Sequence, residues 1–379
     1  MKPLWLIGNI VQKNRILKKA GLLIEGEHIA EIRQTPPSRG NILRYDSSFI
    51  LPGLVELHVH GAKGHDFADG EAHGNETVAS FLANEGVTAY VAAIVTSAKK
   101  KTLNAVKTLV AAKNKGAKLL GILLEGPFIS SQKRGAHQKR YLREPDLAFA
   151  KEIMSLIPKG LKTIFLVAPE LPKALAFIKD LRTMGTLVAL GHSAADYETA
   201  TKAIDLGASY GVHLFNAMAP LGHREPGIAG ALLNDERAYV ELIPDLIHVH
   251  PAMVKLAIRA KSTARVALVT DTTGPAALPR GTHPWNGRQV TVTEKDLRLP
   301  DGTLAGSNLN NQGLFRAMSS LGFSLSDITK MRSLVPAKVL GQQRQYGSLK
   351  AGLPANITVL SEKWQTEATF INGKAVFQR

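Results

Sequence analysis

The strongest constraint on the fold is an alternation of short apolar segments with helical stretches through the middle of the chain. Strands are predicted at 53–59, 87–95, 118–124, 163–168, 186–190, 209–213, 239–243 and 265–270. Helical stretches lie between most of them, as at 75–84, 103–115, 173–184, 194–206 and 252–259. Strands alternating with helices predict a parallel sheet. Eight such units are the number in a (β/α)8 barrel, and a doubly wound sheet is the alternative. Ser193 and Ser326 are predicted helix N-caps, the latter for a helix running toward Leu340.

The two chain ends differ from this middle. Residues 1–50 and 344–379 contain short β-like runs separated by glycine, asparagine and charged residues. Near the end, the runs 368–371 and 374–377 flank Asn372-Gly373, a pair typical of a hairpin turn. We therefore expect one small β-domain built from both ends, and a barrel domain over residues 51–343.

Composition and charge limit the classes of function. The chain of 379 residues contains 0 cysteines, which excludes disulfides, thiolate zinc sites, iron–sulfur clusters and a cysteine nucleophile. No apolar run approaches the ~20 residues of a membrane span, and the first residues lack a signal peptide pattern, so we expect a cytoplasmic protein and no membrane partner. The net charge of +16 suits an anionic substrate. A nucleic-acid partner is the alternative, but the basic pairs are scattered and lack interleaved aromatic residues, so we do not expect one.

Polar side chains stand at the ends of the predicted strands, where barrel loops gather reactive groups. His58 and His60 are two residues apart on the first strand, so both face the same side. Glu125, His192 and His213 each follow a later apolar strand. One glutamate with two histidines can bind zinc and leave a position open for water. Each residue alone would fit a hydrogen-bonded core side chain, but together they indicate a metal centre, for which zinc, iron, manganese and cobalt are all suitable.

Asp271 and Arg224 each have two interpretations. Asp271 ends the last strand, and a carboxylate beside a metal site can take a proton from water and return it. A helix N-cap or turn residue in 271–275 fits the same segment. Arg224 lies in the glycine-bounded loop 222–227, where its guanidinium can bind phosphate through two hydrogen bonds. A surface arginine beside a turn fits equally well.

The order of these segments resembles the amidohydrolase superfamily: Pro52-Gly53, His58-Val59-His60-Gly61, a glutamate, two separated histidines and a final aspartate. Further segments are similar to those of N-acetylglucosamine-6-phosphate deacetylases within it. They are Leu124-Glu125-Gly126-Pro127-Phe128, Arg134-Gly135-Ala136-His137, Gly191-His192-Ser193, His213-Leu214-Phe215-Asn216-Ala217-Met218, His223-Arg224-Glu225-Pro226-Gly227 and Asp271. The resemblance extends over nearly the whole chain. It implies that the chain ends, 1–50 and 344–379, form a small β-sandwich.

The resemblance also implies a reaction, the hydrolysis of the acetamide of an N-acetylhexosamine 6-phosphate to the amino sugar phosphate and acetate. Glu125, His192 and His213 would hold the main divalent metal. His58 and His60 match a second-site pair, so one or two ions are expected. Asp271 would act first as base toward water and then as acid toward the leaving amine.

Substrate-binding residues follow from the same resemblance. His137 would lie near the acetyl carbonyl, and Asn216, Ala217 and His248 would contact the substrate. Arg224 would reach the phosphate from the neighbouring subunit, which implies a homodimer.

Two departures from the family pattern concern the substrate. Pro244-Asp245-Leu246 replaces Ala-Asp-Gly before His248, and Asn310 and Asn311 replace a hydroxyl and an apolar thioether expected near the sugar. The N-acetylgalactosamine 6-phosphate epimer is therefore an alternative substrate. A cyclic amidase is a further alternative, although such enzymes usually have a carboxylated lysine at the end of strand four, where this chain has Val167-Ala168-Pro169-Glu170.

Overall fold

The computed structural model of the protein describes residues 2–113 and 115–379. Over these residues the strands are, in chain order, β1 (Leu4–Val11), β2 (Ile16–Glu25), β3 (His28–Arg33), β4 (Ile42–Pro52), β5 (Leu54–Val59), β6 (Gly61–Ala62), β7 (His65–Asp66), β8 (Val87–Val95), β9 (Lys118–Glu125), β10 (Lys162–Val167), β11 (Leu187–Leu190), β12 (Tyr210–Gly211), β13 (Tyr239–Leu242), β14 (Val266–Leu268), β15 (Gly281–Trp285), β16 (Arg288–Val292), β17 (Asp296–Arg298), β18 (Leu304–Ser307), β19 (Ile357–Leu360), β20 (Thr366–Ile371) and β21 (Lys374–Gln378). The α-helices are α1 (Ala72–Asn84), α2 (Lys99–Ala111), α3 (Leu147–Leu156), α4 (Ala174–Thr183), α5 (Tyr197–Asp205), α6 (Gly227–Asn234), α7 (Pro251–Lys261), α8 (Asn311–Ser320), α9 (Leu325–Thr329) and α10 (Val335–Val339). Turns of 3₁₀ helix cover Phe67–Asp69 and Lys139–Tyr141, and a π-helical turn covers Lys330–Leu334.

The central sheet consists of parallel strands in the order β5-β8-β9-β10-β11-β12-β13-β14. Helices α1 to α7 lie in the connections between them, and the predicted (β/α)8 barrel is confirmed. Every residue of β5 and of β8 is buried, because helices cover the outside and side chains fill the inside. β12 is shorter than the predicted 209–213, since the backbone of His213 has already turned to a φ of 29°.

The seam between the first and last barrel strands is closed by side chains. In the order of hydrogen-bonded strands, β5 and β14 are the two end strands. There the Arg332 guanidinium donates to the carbonyl oxygens of Val55 (3.4 Å) and Leu268 (3.1 Å) and to the Glu56 carboxylate (2.6 Å). Glu56 also accepts from the backbone N–H and the hydroxyl of Thr270. Arg332 is fully buried in the π-helical turn between α9 and α10, so the last helical segment completes the barrel.

Both chain ends contribute to one hydrogen-bonded sheet, in the order β21-β20-β19-β4-β1-β2-β3. β4 pairs in parallel with β1 and antiparallel with β19, which joins the first strands to the last. The predicted hairpin is confirmed, because β20 and β21 pair around Asn372 and Gly373, whose φ values of 48° and 74° suit a type I′ turn. The domain bounds stay a prediction; β4 crosses the first of them and ends at Pro52.

A four-stranded antiparallel sheet follows the last barrel strand, and no sequence pattern predicted it. Its order is β15-β16-β17-β18, and it has its own small core around Trp285. Two hydrogen bonds attach it to the loop after β9: Gln138 Nε2 donates to the Asn286 carbonyl (2.6 Å), and Arg288 Nη2 donates to the Ala136 carbonyl. We call β15–β18 the inserted sheet.

The two predicted N-caps are wrong. α5 is capped by Asp196, while the hydroxyl of Ser193 donates to Glu170 (2.7 Å). α9 is capped by Ser324, and Ser326 lies inside that helix. A capping side chain must lie directly before the first helical residue, and neither predicted serine does. No helix in the described ranges is long and apolar enough to cross a membrane.

Candidate metal centre and substrate pocket

Six buried side chains from five strand ends converge at the carboxyl end of the barrel. Their potential ligand atoms form two groups, each with all members within 4.8 Å of one another. These groups are His58, His60 and Asp271, and Glu125, His192 and His213. All six are buried. The structure therefore brings together all the metal ligands predicted from the sequence, and it places Asp271 beside them.

Glu125 connects the two groups. Its Oε1 lies 3.1 Å from His192 Nε2 and 3.0 Å from His213 Nε2, while its Oε2 lies 3.0 Å from His60 Nε2. Asp271 Oδ1 lies 3.4 Å from the same His60 nitrogen. The six residues thus form one continuous cluster.

Three of these residues have left-handed backbones. The φ angles of His192, His213 and Asp271 are 44°, 29° and 52°. This conformation costs a non-glycine residue on the order of 1–2 kcal/mol, and such strain is typical of functional sites. Here each residue lies two or three positions past the end of a barrel strand, where the backbone turns and the side chain points to the cluster.

The hydrogen bonds around the cluster fit a bound cation. His192 Nδ1 donates to the Lys133 carbonyl (2.8 Å), which can only accept, so Nε2 of the neutral ring is an acceptor. That nitrogen faces another acceptor, Glu125 Oε1, at 3.1 Å. His58 Nε2 is fully buried and has no hydrogen-bond partner among the described residues. Acceptors that face one another are stabilised by a cation between them, and imidazole and carboxylate are typical ligands of divalent transition metals.

Electrostatics at the cluster favour positive charge. Burial lowers the pKa of His58, but the carboxylates of Asp271 and Glu241 outweigh burial and raise it to about 9. Burial also lowers the pKa of His60, but the carboxylates of Glu125 and Asp271 outweigh it and raise that pKa well above its ordinary value. Burial raises the pKa of Glu125, yet His60 and His137 hold it well below its usual range. The carboxylates therefore stay ionised and attract a cation.

His137 lies on the other side of Glu125 as a neutral ring. Its Nε2 is 3.3 Å from Glu125 Oε2, while its Nδ1 lies 2.8 Å from the Thr96 hydroxyl and accepts from the backbone N–H of Thr96 (3.3 Å), which can only donate. Burial lowers the His137 pKa to about 4 in spite of the Glu125 charge. A neutral ring whose Nδ1 accepts carries its hydrogen on Nε2. His137 thus offers an N–H donor beside the ligands.

A cavity of about 490 Å³ opens onto the cluster, within the usual range for small-molecule sites. The predicted substrate residues His137, Asn216, Ala217 and His248 line it together with five residues of the cluster: His60, Glu125, His192, His213 and Asp271. His248 Nδ1 donates to Asp245 (2.6 Å), which leaves Nε2 as an acceptor for a ligand hydroxyl. Arg224 is exposed and does not line the cavity of its own chain.

Several cavity residues were missed from the sequence. Gln132 and Lys133 come from the loop after β9, and Trp285, Arg298 and Thr303 come from the inserted sheet. None of them lies directly at the end of a barrel strand, which is where reactive groups were expected. Glu241, which contacts His58, was also missed, although a charged residue inside an apolar strand is a signal that could have identified it.

Asn310 and Asn311 do not line this cavity, which corrects the expectation that they lie near the sugar. Asn310 caps α8. Asn311 is buried, where its amide donates to the Glu85 carbonyl (2.8 Å) and accepts from Arg332 (2.9 Å). Both asparagines therefore make structural contacts at helix α8, outside the cavity.

The end of strand four also differs from a two-metal cyclic amidase site. Glu170 accepts from the Ser193 hydroxyl (2.7 Å) and the Ala194 N–H (2.6 Å), so it supports the turn that carries His192. The segment after this strand, Ala168-Pro169-Glu170, contains no lysine.

Comparison with known proteins agrees with this site. An N-acetylglucosamine-6-phosphate deacetylase of Bacillus subtilis (strain 168) is 33% identical over 97% of this chain and 95% of that protein. An N-acetylgalactosamine-6-phosphate deacetylase of Escherichia coli O157:H7 is 33% identical over 97% of this chain and 98% of that protein. The crystal structure of the D267A mutant of the Mycobacterium smegmatis N-acetyl-D-glucosamine-6-phosphate deacetylase, in complex with N-acetyl-D-glucosamine-6-phosphate, superposes with a TM-score of 0.93, with 28% identity and full coverage of both chains. Residues 49–376 match the amidohydrolase family. The chain belongs to the amidohydrolase family.

Proposed function

We propose that this protein hydrolyses the acetamide of N-acetylglucosamine 6-phosphate to glucosamine 6-phosphate and acetate. The observation that carries this function is the cluster around Glu125, with Asp271 Oδ1 3.4 Å from His60 Nε2 and the cluster open to a cavity of about 490 Å³. Relatives of this activity that align over nearly the whole chain support it.

Glu125, His192 and His213 are the proposed ligands of a divalent metal, which we propose is zinc, and His58 and His60 could hold a second ion. When bound, such an ion acts as a Lewis acid and lowers the pKa of water. The buried acceptor atoms described above fit this cation.

The protein's own residues carry the proton transfers. Asp271 takes a proton from the attacking water as the water oxygen bonds to the acetyl carbon. The N–H of His137 Nε2 donates to the carbonyl oxygen, where negative charge develops. Asp271 then gives its proton to the nitrogen as the carbon–nitrogen bond breaks, because an amine leaves poorly unless it is protonated. The second hydrogen of the water stays on the new carboxyl group, so the products are the amine and acetic acid, which ionises to acetate.

The sugar is proposed to contact Asn216, Ala217 and His248, which line the cavity. Arg224 is exposed, and we propose that it binds the phosphate in the cavity of a second copy within a homodimer. A cytoplasmic location stays a prediction.

The test is acetate release from N-acetylglucosamine 6-phosphate by the purified protein supplied with zinc. The metal-stripped protein is the blank. Asp271→Asn should lower turnover by about 10²–10⁴-fold while the metal content stays the same. Asp205→Asn, at an exposed position, is the matched control. Full activity of Asp271→Asn would refute its role, and absence of zinc-dependent acetate would refute the reaction.

The N-acetylgalactosamine epimer is a second candidate substrate, favoured by the Escherichia coli relative of that name at 33% identity. The ratio of kcat/KM for the two sugar phosphates decides between them. Acetate released only from the galactosamine epimer would replace the first proposal with the second.

A further inference from the structure

We propose that Glu241 is a positioning residue that directs Nε2 of His58 into the metal cluster. This inference rests on the proposed metal-dependent function. Glu241 lies on β13, and its side chain is 0% exposed.

One oxygen of Glu241 contacts both ligand groups. Its Oε2 lies 2.9 Å from His58 Nδ1, and it accepts from the backbone N–H of His213 at 3.3 Å. His58 belongs to one group and His213 to the other. A single buried carboxylate therefore holds a ring from the first group and the backbone of the second.

The contact also selects the tautomer of His58. An ionised carboxylate only accepts, so the hydrogen of the neutral ring lies on Nδ1 and the lone pair lies on Nε2. That Nε2 is 3.6 Å from Glu125 Oε1 and 3.7 Å from Asp271 Oδ1, and it has no hydrogen-bond partner in the described part of the chain. The lone pair is therefore directed into the cluster.

Few other groups orient these rings from outside. In the described residues, Nδ1 of His60 and Nδ1 of His213 have no hydrogen-bond partner. Nδ1 of His192 is fixed by the main-chain carbonyl of Lys133, which a side-chain substitution leaves in place. Loss of a carboxylate that supports a metal-bound histidine typically lowers metal affinity 10–100-fold, and Glu241 is the carboxylate in that position.

The test is Zn²⁺ binding to the metal-stripped full-length protein, followed by competition with a chromophoric chelator and by elemental analysis of the bound metal. The loss of zinc affinity in His58→Gln, relative to the wild type, measures the part of the affinity that depends on His58. Glu241→Gln should weaken that same affinity by about 10–100-fold, and the double variant should be no weaker than His58→Gln alone. Thr329→Val is the control, because its hydroxyl is buried in α9 and has no hydrogen-bond partner among the described residues, and it should bind zinc like the wild type.

Other results overturn the proposal. They are unchanged zinc binding in Glu241→Gln, no effect of His58→Gln, or additive losses in the double variant. A measurement on the wild type keeps the proposal testable if Glu241→Gln does not fold: ¹⁵N spectra of the histidine rings in the metal-free protein at pH 10, assigned with His58→Gln, should show hydrogen on Nδ1 of His58. Hydrogen on Nε2 would overturn it. Zinc binding is measured without substrate, so failure of the deacetylase assay would leave this result independent.

Discussion

Replacing Arg332 with methionine should strongly destabilise the barrel, because Arg332 closes the seam between its first and last strands. The guanidinium is fully buried and donates to Glu56 (2.6 Å), Asn311 (2.9 Å) and the carbonyls of Leu268 (3.1 Å) and Val55 (3.4 Å). Methionine fills similar volume but leaves the Glu56 carboxylate charged and without its cation. Breaking a buried ion pair in this way costs about 3–5 kcal/mol.

Arg237 provides a matched control on the surface. Its guanidinium contacts Asp205 at 2.7 Å and Asp235 at 2.5 Å, but 57% of its side chain is exposed. Water screens exposed ion pairs, which contribute little to stability, so Arg237→Met should shift the unfolding midpoint far less than Arg332→Met does. Comparing the two arginines shows whether burial, rather than the number or length of the contacts, determines the loss of stability.

The assay is urea unfolding followed by circular dichroism, with stability differences taken from the midpoints at a common slope. The double variant Glu56→Gln with Arg332→Met should recover part of the lost stability, since it removes the uncompensated charge. Two results would show that the buried charge is not the cause. One is an equally small loss of unfolding stability in Arg332→Met and Arg237→Met. The other is a double variant that is clearly less stable than Arg332→Met.

Three further predictions concern the metal, the inserted sheet and a buried lysine. Removing the divalent metal with a chelator should abolish acetate release and lower the thermal midpoint, and added zinc should restore both; unchanged activity would exclude a metal role. Arg288→Met removes the bond to the Ala136 carbonyl and should lower kcat with unchanged metal content, since it releases the loop that carries His137; an altered metal content would contradict this. Burial lowers the pKa of Lys261 to about 8 from 10.5, so the unfolded chain binds more protons between these values and stability rises with pH there. The urea midpoint of the wild type should therefore rise relative to that of Lys261→Met between pH 8 and pH 10. A difference in midpoint that stays constant over this range would refute the lowered pKa of Lys261.

Much of the barrel was predictable because its strands are apolar on both faces and alternate with helices. β5 and β8 are wholly buried, and their positions match the predicted segments 53–59 and 87–95. The helix caps were not predicted correctly. A serine before an apolar run fits several positions, and only the local backbone selects Asp196 and Ser324 as the caps.

The ligands were predictable for a related reason. Glu125, His192 and His213 each end a strand, and parallel strands in a barrel bring their carboxyl ends together. The residues that shape the pocket around them were not predictable. Trp285 and Arg298 belong to the inserted sheet, whose approach to the loop of His137 depends on contacts between residues about 150 positions apart, such as Arg288 with Ala136.

The sequence by itself determined the barrel, the β-domain from both ends and the six residues of the candidate metal cluster. These features depend on local periodicity and on the chemistry of residues at strand ends. Only the tertiary structure decided which groups orient those residues: Glu241 behind His58, Arg332 at the seam and the Lys133 carbonyl behind His192. Each of these is a hydrogen bond between distant segments, and its distance and direction are fixed only when the whole core has packed.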